Sequence, residues 1–136
     1  MDIVLDFQFI RSSSSSSFDS DEFKMAQRKR WDSVTAGWKE WWETFEIAAQ
    51  NVSDRLVELA DIKPGQKVLD IATGIGEPAV TVATNLVNGS ATRTTNKRRN
   101  VGYVLATDIS MQMLTFAKQR ALELGLQDLI ELREVI

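Results

Sequence analysis

Three short apolar runs separated by segments of helical spacing constrain the fold more than any other feature of this sequence. Residues 67–72 read KVLDIA and residues 101–107 read VGYVLAT, and both runs have the length and the residue types of strands. Helical patterns follow at 77–87 and 111–124, and a third apolar run covers 130–135. Strands alternating with helices of about 12 residues imply right-handed crossovers. The sequence therefore predicts an α/β fold with a parallel sheet.

Turn and capping residues set the expected boundaries of these elements. Pro64-Gly65 is a turn before the first strand, and Glu77-Pro78 suits the first turn of the helix that follows it. That helix is expected to end at Asn88-Gly89, before a polar loop that leads to the second strand. Ser110 is the expected N-cap of the second crossover helix, which Gly125 would close. Residues 64–136 would thus form the N-terminal half of a Rossmann-like, doubly wound fold.

The N-terminal tail differs in composition from the rest of the chain. Residues 1–24 include six consecutive serines followed by acids, and we expect this segment to be disordered, with Met25 as the candidate native start. Residues 1–10 hold two acids and no basic start, so they fit neither a signal peptide nor a transit peptide. No stretch reaches the roughly 20 apolar residues of a membrane span. The expected location is the cytoplasm.

Residues 25–63 have the pattern of one or two helices. Asp32 or Ser33 is the expected cap at the start, and Gly37 or residues 51–53 are the expected break. The apolar residues form one stripe: Trp31, Val34, Trp38, Trp41, Phe45, Ala48, Val52 and Leu59. We expect the tryptophans to pack on the core; the alternative is a lid over a substrate, with Trp42 off the stripe and free to line a pocket.

Composition excludes several classes of chemistry. The chain has 136 residues, a net charge of -3, no Cys and no His. Disulfides, thiolate nucleophiles, His triads and Cys or His zinc sites are therefore excluded, and no metal site is expected. The mild acidity gives no reason to expect a nucleic-acid partner, and the basic residues at 93–99 and 28–30 are expected to be solvated.

A glycine-rich turn between the first strand and its helix carries the functional signal. Residues 68–78 read VLDIATGIGEP, and Asp108 ends the second strand. Glycines let a ligand approach the backbone, the helix N-terminus offers free N–H groups, and an acid at that strand end can accept bonds from ribose hydroxyls. Gly74-x-Gly76-x-x-Ala79 fits the dinucleotide fingerprint, so an NAD(P)-dependent oxidoreductase is one alternative. Asp70, four residues before Gly74, is unusual for that class.

The same residues resemble motif I of the class I S-adenosylmethionine-dependent methyltransferases, with Ala72 in place of the first glycine. Together with residues 106–114, the motif is most similar to the ubiquinone/menaquinone-biosynthesis methyltransferase family. The resemblance implies that Asp70 organises the loop and the amino group of the cofactor, that Asp108 holds the ribose and that Ile109 flanks the adenine. The predicted cofactor-binding residues are Asp70, Ala72, Thr73, Gly74, Ile75, Gly76, Asp108, Ile109 and Met113.

The sequence departs from this family at two places. The spacing from Gly76 to Asp108 is 32 residues, against about 20 in the dinucleotide fingerprint, which indicates an insertion in the loop at 88–100. Family members also continue beyond the third strand with further strands and helices, so we expect a truncated chain. The first strand would then be an exposed apolar edge, with a risk of aggregation.

The resemblance implies transfer of a methyl group from S-adenosylmethionine to a small-molecule acceptor, with a quinone-type ring as the finer expectation. Holding the nucleophile and the methyl group in line can supply roughly 7–11 kcal/mol of the barrier, so few catalytic residues are needed. We assign no catalytic base and no oligomeric state. A non-catalytic methyltransferase-like fragment is the remaining alternative.

Overall fold

The computed structural model describes residues 18–91 and 101–135. The helices and strands follow in the order α1 (Ser20–Glu40), α2 (Trp42–Leu59), β1 (Lys67–Ile71), α3 (Ala79–Ala91), β2 (Tyr103–Asp108), α4 (Met111–Glu123) and β3 (Ile130–Glu134). The predicted order of a helical segment followed by β-α-β-α-β is confirmed. Among the described residues, no helix combines the length and the apolarity that crossing a bilayer requires.

The three strands form a parallel sheet in the order β1-β2-β3. Val68, Val104 and Ile130 lie side by side in the register, and Val104 and Ile130 are buried against α3 and α4. Successive side chains of a strand point to opposite faces, so Leu69 and Ile71 face the other way. These two side chains are 57% and 71% exposed. Because β1 is also the first strand in the sheet order, it is an apolar edge strand within the described residues, as expected.

The first helix begins earlier than the sequence pattern indicated. Asp19 caps α1 by accepting bonds from the N–H groups of Asp21 and Glu22, so the helix starts at Ser20 and passes through Met25 without interruption. The expected cap at Asp32 or Ser33 is wrong, because those residues lie in the middle of α1. The part of the predicted disordered tail at 1–17 lies outside the described residues.

The apolar stripe of the N-terminal segment does not form a buried face. The helical segment breaks at Trp41, between the two α-helices, and not at the two places expected from the sequence. Val52 and Leu59 are exposed, and the buried positions of α1 and α2 are Thr35, Ser53 and Val57. The tryptophans lie outside the buried core, so their expected packing on it is wrong.

The first crossover helix is longer than predicted at its C-terminal end. It starts at Ala79, just after Glu77-Pro78, and continues through Asn88 and Gly89 to Ala91. A Cβ at position 89 would lie 3.0 Å from Cγ of Pro64, so the glycine serves a close contact and does not end the helix. The rest of the predicted polar loop, with its basic cluster at 93–99, lies outside the described residues.

The second crossover helix has the predicted boundaries. The hydroxyl of Ser110 accepts a bond from the N–H of Met113 and caps α4. At the other end Gly125 adopts a φ of 68°, and the N–H of Leu126 bonds the carbonyl of Ala121, which closes the helix. Both capping predictions are confirmed.

A close backbone approach fixes the start of β2. Gly102 has a φ of 91°, and a Cβ there would lie 2.2 Å from the carbonyl oxygen of Gln66. That carbonyl accepts a bond from the N–H of Tyr103, which begins the pairing of β2 with β1. Only glycine fits this position without displacing the backbone.

Candidate cofactor and acceptor site

The predicted glycine-rich loop lies at the carboxyl end of β1, beside the end of β2. Three of its residues have positive φ angles: Ala72 at 61°, Gly74 at 56° and Gly76 at 103°. The N–H of Thr73 bonds the carbonyl of Thr107 on β2, which ties the loop to the neighbouring strand. This is the edge of an open α/β sheet at which ligands bind.

Asp108 links the two strand ends. Its Oδ2 accepts a bond of 2.8 Å from the N–H of Gly74, and its Oδ1 accepts one of 2.8 Å from the N–H of Ser110. Each carboxylate oxygen keeps a free lone pair, since it can accept more than one bond. Asp108 therefore joins the glycine-rich loop to the end of β2, and it can still accept hydrogen bonds from the hydroxyl groups of a ligand.

Asp70 lies behind the loop and does not face the cavity. Its Oδ2 is buried, and neither this oxygen nor Oγ1 of Thr73 has a hydrogen-bond partner among the described residues. Burial raises the pKa of the Asp70 carboxyl above its ordinary value of 3.8, and the nearby Asp108 adds to the rise; Thr73 and the backbone of Ala79 act in the opposite direction. Asp70 is thus a half-buried acid with one buried carboxylate oxygen that has no hydrogen-bond partner among the described residues.

A cavity of about 590 Å³ opens between the loop and the N-terminal helices. This volume is within the roughly 300–1,000 Å³ of small-molecule sites. Seven of the nine predicted cofactor-binding residues line it: Ala72, Thr73, Gly74, Ile75, Asp108, Ile109 and Met113. Asp70 and Gly76 do not line it; a Cβ on Gly76 would lie 3.3 Å from that of Ala117, so this glycine allows the loop to pack on α4.

Two polar side chains, Arg28 and Asp32, fix α1 over the carboxyl ends of the strands. Asp32 accepts a bond of 2.5 Å from the hydroxyl of Ser110. Arg28 bonds the carbonyl of Ile109 and forms an ion pair of 2.9 Å with Glu134 at the end of β3. The expectation that Arg28 is simply solvated is therefore wrong, because its half-buried side chain attaches α1 to the edge of the sheet.

Aromatic side chains from α1 and α2 form the wall opposite the loop. These residues are Trp31, Trp38, Trp42 and Phe45. The rings of Trp38 and Phe45 lie 4.7 Å apart, and Trp41 alone of the four tryptophans points away, at 58% exposure. Two roles were considered for the tryptophans from the sequence. Their position in this wall agrees with the second role, in which they cover a pocket.

Sequence reasoning missed four polar residues that line the cavity. These are Glu46, Gln50 and Ser53 of α2, and Glu77 of the loop. Their spacing was an available signal, since residues 42, 45, 46, 49, 50 and 53 recur every three or four positions on one helix face. The prediction relied instead on the apolar stripe, which includes residues of a neighbouring face of the helix, such as Val52 and Leu59.

Arg120 of α4 was also missed, although it joins several parts of the site. Its Nη1 donates to the carbonyl of Ile75 at 3.0 Å, and its Nη2 donates to Glu46 at 3.0 Å and to Glu77 at 3.4 Å. The guanidinium carbon lies 3.6 Å from the centre of the Trp42 ring. This side chain is only 5% exposed.

Among the residues that the structure describes, the charge of the cavity wall has one sign. The charged residues that line it are Glu46, Glu77 and Asp108. Arg120 compensates part of this charge from behind the wall, through its ion pairs with Glu46 and Glu77. The wall therefore favours a ligand that carries positive charge where it meets these residues.

Comparison with solved structures places the fold. The [4+2]-cyclase SpnF matches with a TM-score of 0.51 at 24% identity, over 65% of this chain and 28% of that one. A TehB-like SAM-dependent methyltransferase from Corynebacterium glutamicum matches with a TM-score of 0.50 at 15% identity, over 76% and 46%. A SAM-dependent methyltransferase from Geobacter sulfurreducens in complex with S-adenosyl-L-homocysteine matches with a TM-score of 0.47 at 25% identity, over 61% and 28%. No family model and no curated protein matches the chain.

The chain thus has a methyltransferase-like Rossmann fold, in which a helical N-terminus precedes three parallel strands within the described residues. It spans less than half the length of these solved structures. Because a cyclase and a methyltransferase share the fold, the fold alone does not define the reaction. The finer resemblance to the ubiquinone/menaquinone-biosynthesis family stays a prediction.

Proposed function

We propose that this chain forms the cofactor-binding part of an S-adenosylmethionine-dependent methyltransferase that acts on a small-molecule acceptor. The observation that carries the proposal is the cavity at the carboxyl ends of β1 and β2. There the glycine-rich loop meets an acidic wall formed by Glu46, Glu77 and Asp108. The bound cofactor would supply a methyl group already activated on a sulfonium centre, and the protein would supply binding and orientation.

The residues present fit that cofactor. Gly74 has open space where a side chain would lie, so a ligand can approach its backbone. Asp108 lines the cavity and would accept bonds from ribose hydroxyls, and Ile109 and Met113, which line it too, would provide apolar surface for the adenine. Asp70, behind the loop, would organise the loop and act on the amino group of the methionine moiety through it.

Charge favours this cofactor over a dinucleotide. A pyrophosphate at the start of α3 would meet Glu77, which lines the cavity at that position. Like charges in a partly buried site repel, whereas a sulfonium and an ammonium group are attracted to carboxylates. The charge therefore disfavours the oxidoreductase alternative. NAD is the ligand with which the S-adenosyl compounds should be compared.

The aromatic wall supports an apolar acceptor. Trp31, Trp38 and Phe45 line the cavity with flat, apolar surface. Rings of this kind stack on planar ligands and pack against apolar ones. A quinone-type ring agrees with such a surface and is the finer proposal. The cytoplasmic location stays a prediction from the sequence.

Thermal melting of the full 136-residue chain with separate ligands tests the proposal. Each of S-adenosylmethionine, S-adenosylhomocysteine and NAD is added at increasing concentration. A ligand at 100 times its dissociation constant adds about 2.7 kcal/mol to the free energy of unfolding. We expect the two S-adenosyl compounds to raise the Tm and NAD to leave it unchanged.

A matched pair of variants locates the binding. Asp108→Asn should weaken the response to S-adenosylhomocysteine, while Asp128→Asn, at an exposed position, should leave it intact. A cooperative melt that neither S-adenosyl compound shifts would contradict the proposal. A shift with NAD alone would favour the oxidoreductase alternative.

A further inference from the structure

Arg120 stands out because one buried cation serves two sides of the cavity. One arm of its guanidinium bonds the loop at Ile75, and the other reaches Glu46 on α2 and Glu77 on the loop. The planar face of the same group lies against Trp42, part of the aromatic wall. The loop and the wall therefore share a single rigid partner.

Packing alone does not account for an arginine at this position. A buried charge costs free energy of desolvation that an apolar side chain on the same helix face would avoid. The retained guanidinium satisfies a backbone carbonyl, two carboxylates and an aromatic face at once, and this set of contacts requires a flat, forked cation. A lysine ammonium could reach a carboxylate, but it lacks the planar fork that bonds the carbonyl and both carboxylates while lying flat against the ring.

We propose that Arg120 is a positioning residue that couples the glycine-rich loop to the aromatic wall, so that filling the cofactor side of the cavity orders the acceptor side. This inference rests on the proposed function for the identity of the ligand. Any change in the loop at Ile75 or Glu77 is transmitted to α2, because both segments bond the same group. The two halves of the cavity would then be energetically linked.

Hydrogen exchange of the full chain measures this link directly. In the ligand-free protein, Arg120→Lys should speed amide exchange in the first half of α2 by about tenfold, while exchange in the core helix α3 stays unchanged. In the wild-type chain, S-adenosylhomocysteine should slow exchange both in residues 72–78 and in α2. In Arg120→Lys, the same ligand should still protect residues 72–78 but no longer protect α2.

Two further variants keep the test specific. Lys118→Met removes an exposed cation from the same helix and should change neither pattern. Glu46→Gln removes the charge of one α2 contact and leaves both the Trp42 contact and the loop contacts of Arg120 in place. It should loosen α2 and leave the ligand's protection of the loop intact, and it can be measured even where Arg120→Lys fails to fold.

The outcomes separate the two proposals. Unchanged exchange of α2 in ligand-free Arg120→Lys overturns the coupling, and so does full protection of α2 by ligand in that variant. Faster exchange in α3 as well as in α2 would show a general structural role and also overturns it. A wild-type chain that fails to bind S-adenosylhomocysteine overturns the proposed function, whereas the ligand-free comparison still decides the role of Arg120.

Discussion

Backbone conformation at single residues explains where this chain departs from an ideal glycine-rich loop. Ala72 occupies a left-handed φ of 61°, at the position where the motif that it resembles has glycine. Such a conformation costs an L-residue about 1–2 kcal/mol, while a glycine loses roughly 0.5–1 kcal/mol of chain entropy on folding. The sequence identified the departure, but the strain became visible only in the structure.

We therefore expect Ala72→Gly to raise the free energy of unfolding, by about 0.5 kcal/mol after the entropy is subtracted. Urea unfolding of the two chains measures this difference. Ala36→Gly, on an exposed position of α1, is the matched control and should be destabilising by roughly 0.5–1 kcal/mol. Equal losses in both variants would show that Ala72 is not strained.

The buried carboxyl of Asp70 gives a pH dependence of a definite sign. Its pKa is raised above 3.8 in the folded chain, so between 3.8 and the raised pKa the folded state binds more protons than the unfolded state. The contribution of Asp70 to stability is present below 3.8 and is lost as the pH rises through the folded pKa. Asp70→Asn should remove this loss and make the protein more stable at neutral pH.

Denaturant unfolding from pH 3.5 to 7 checks the Asp70 prediction, with Asp128→Asn as the exposed control. We expect Asp70→Asn also to weaken binding of S-adenosylhomocysteine, because the carboxyl behind the loop would no longer organise the loop that meets the amino group. A variant that is less stable at pH 7 than the wild type would contradict the assigned sign.

At the scale of elements, the close approach of Gly102 to Gln66 governs the pairing of β1 with β2. Gly102→Ala places a Cβ 2.2 Å from a backbone oxygen that has no room to move, so it should cost more than about 3 kcal/mol or prevent folding. Gly125→Ala has a positive φ but meets nothing within 4 Å, and should cost only about 1 kcal/mol. Chemical denaturation compares them, and similar losses would show that the β1–β2 approach is looser than described.

The elements also show why sequence reasoning succeeded in one half of the chain and failed in the other. The strands and α4 were predicted because local signals, such as the cap at Ser110 and the turn at Gly125, agree with the tertiary structure. The stripe on α1 and α2 was misread because both helices face a cavity, and α1 is held there by polar anchors, Arg28 and Asp32. Amphipathic spacing reports which residues share a face, but it does not report what that face meets.

At the scale of the whole molecule, the candidate site is assembled from both halves of the described chain. The loop side was predicted almost completely, since its residues are adjacent in sequence and carry a motif. Three polar residues of the site, Glu46, Glu77 and Arg120, were not predicted. They come together only where α2, α4 and the loop meet in the folded chain. Such contacts between residues 74 positions apart leave no local pattern.

The acidic wall has a consequence for turnover, should the proposed function hold. Methyl transfer removes one positive charge from the ligand, since a sulfonium becomes a neutral thioether. Carboxylates at Glu46, Glu77 and Asp108 would then attract the spent ligand less strongly than the fresh one, and inhibition by the product would be weakened. Arg120 neutralises part of that wall, so the same guanidinium would also set how readily the product departs.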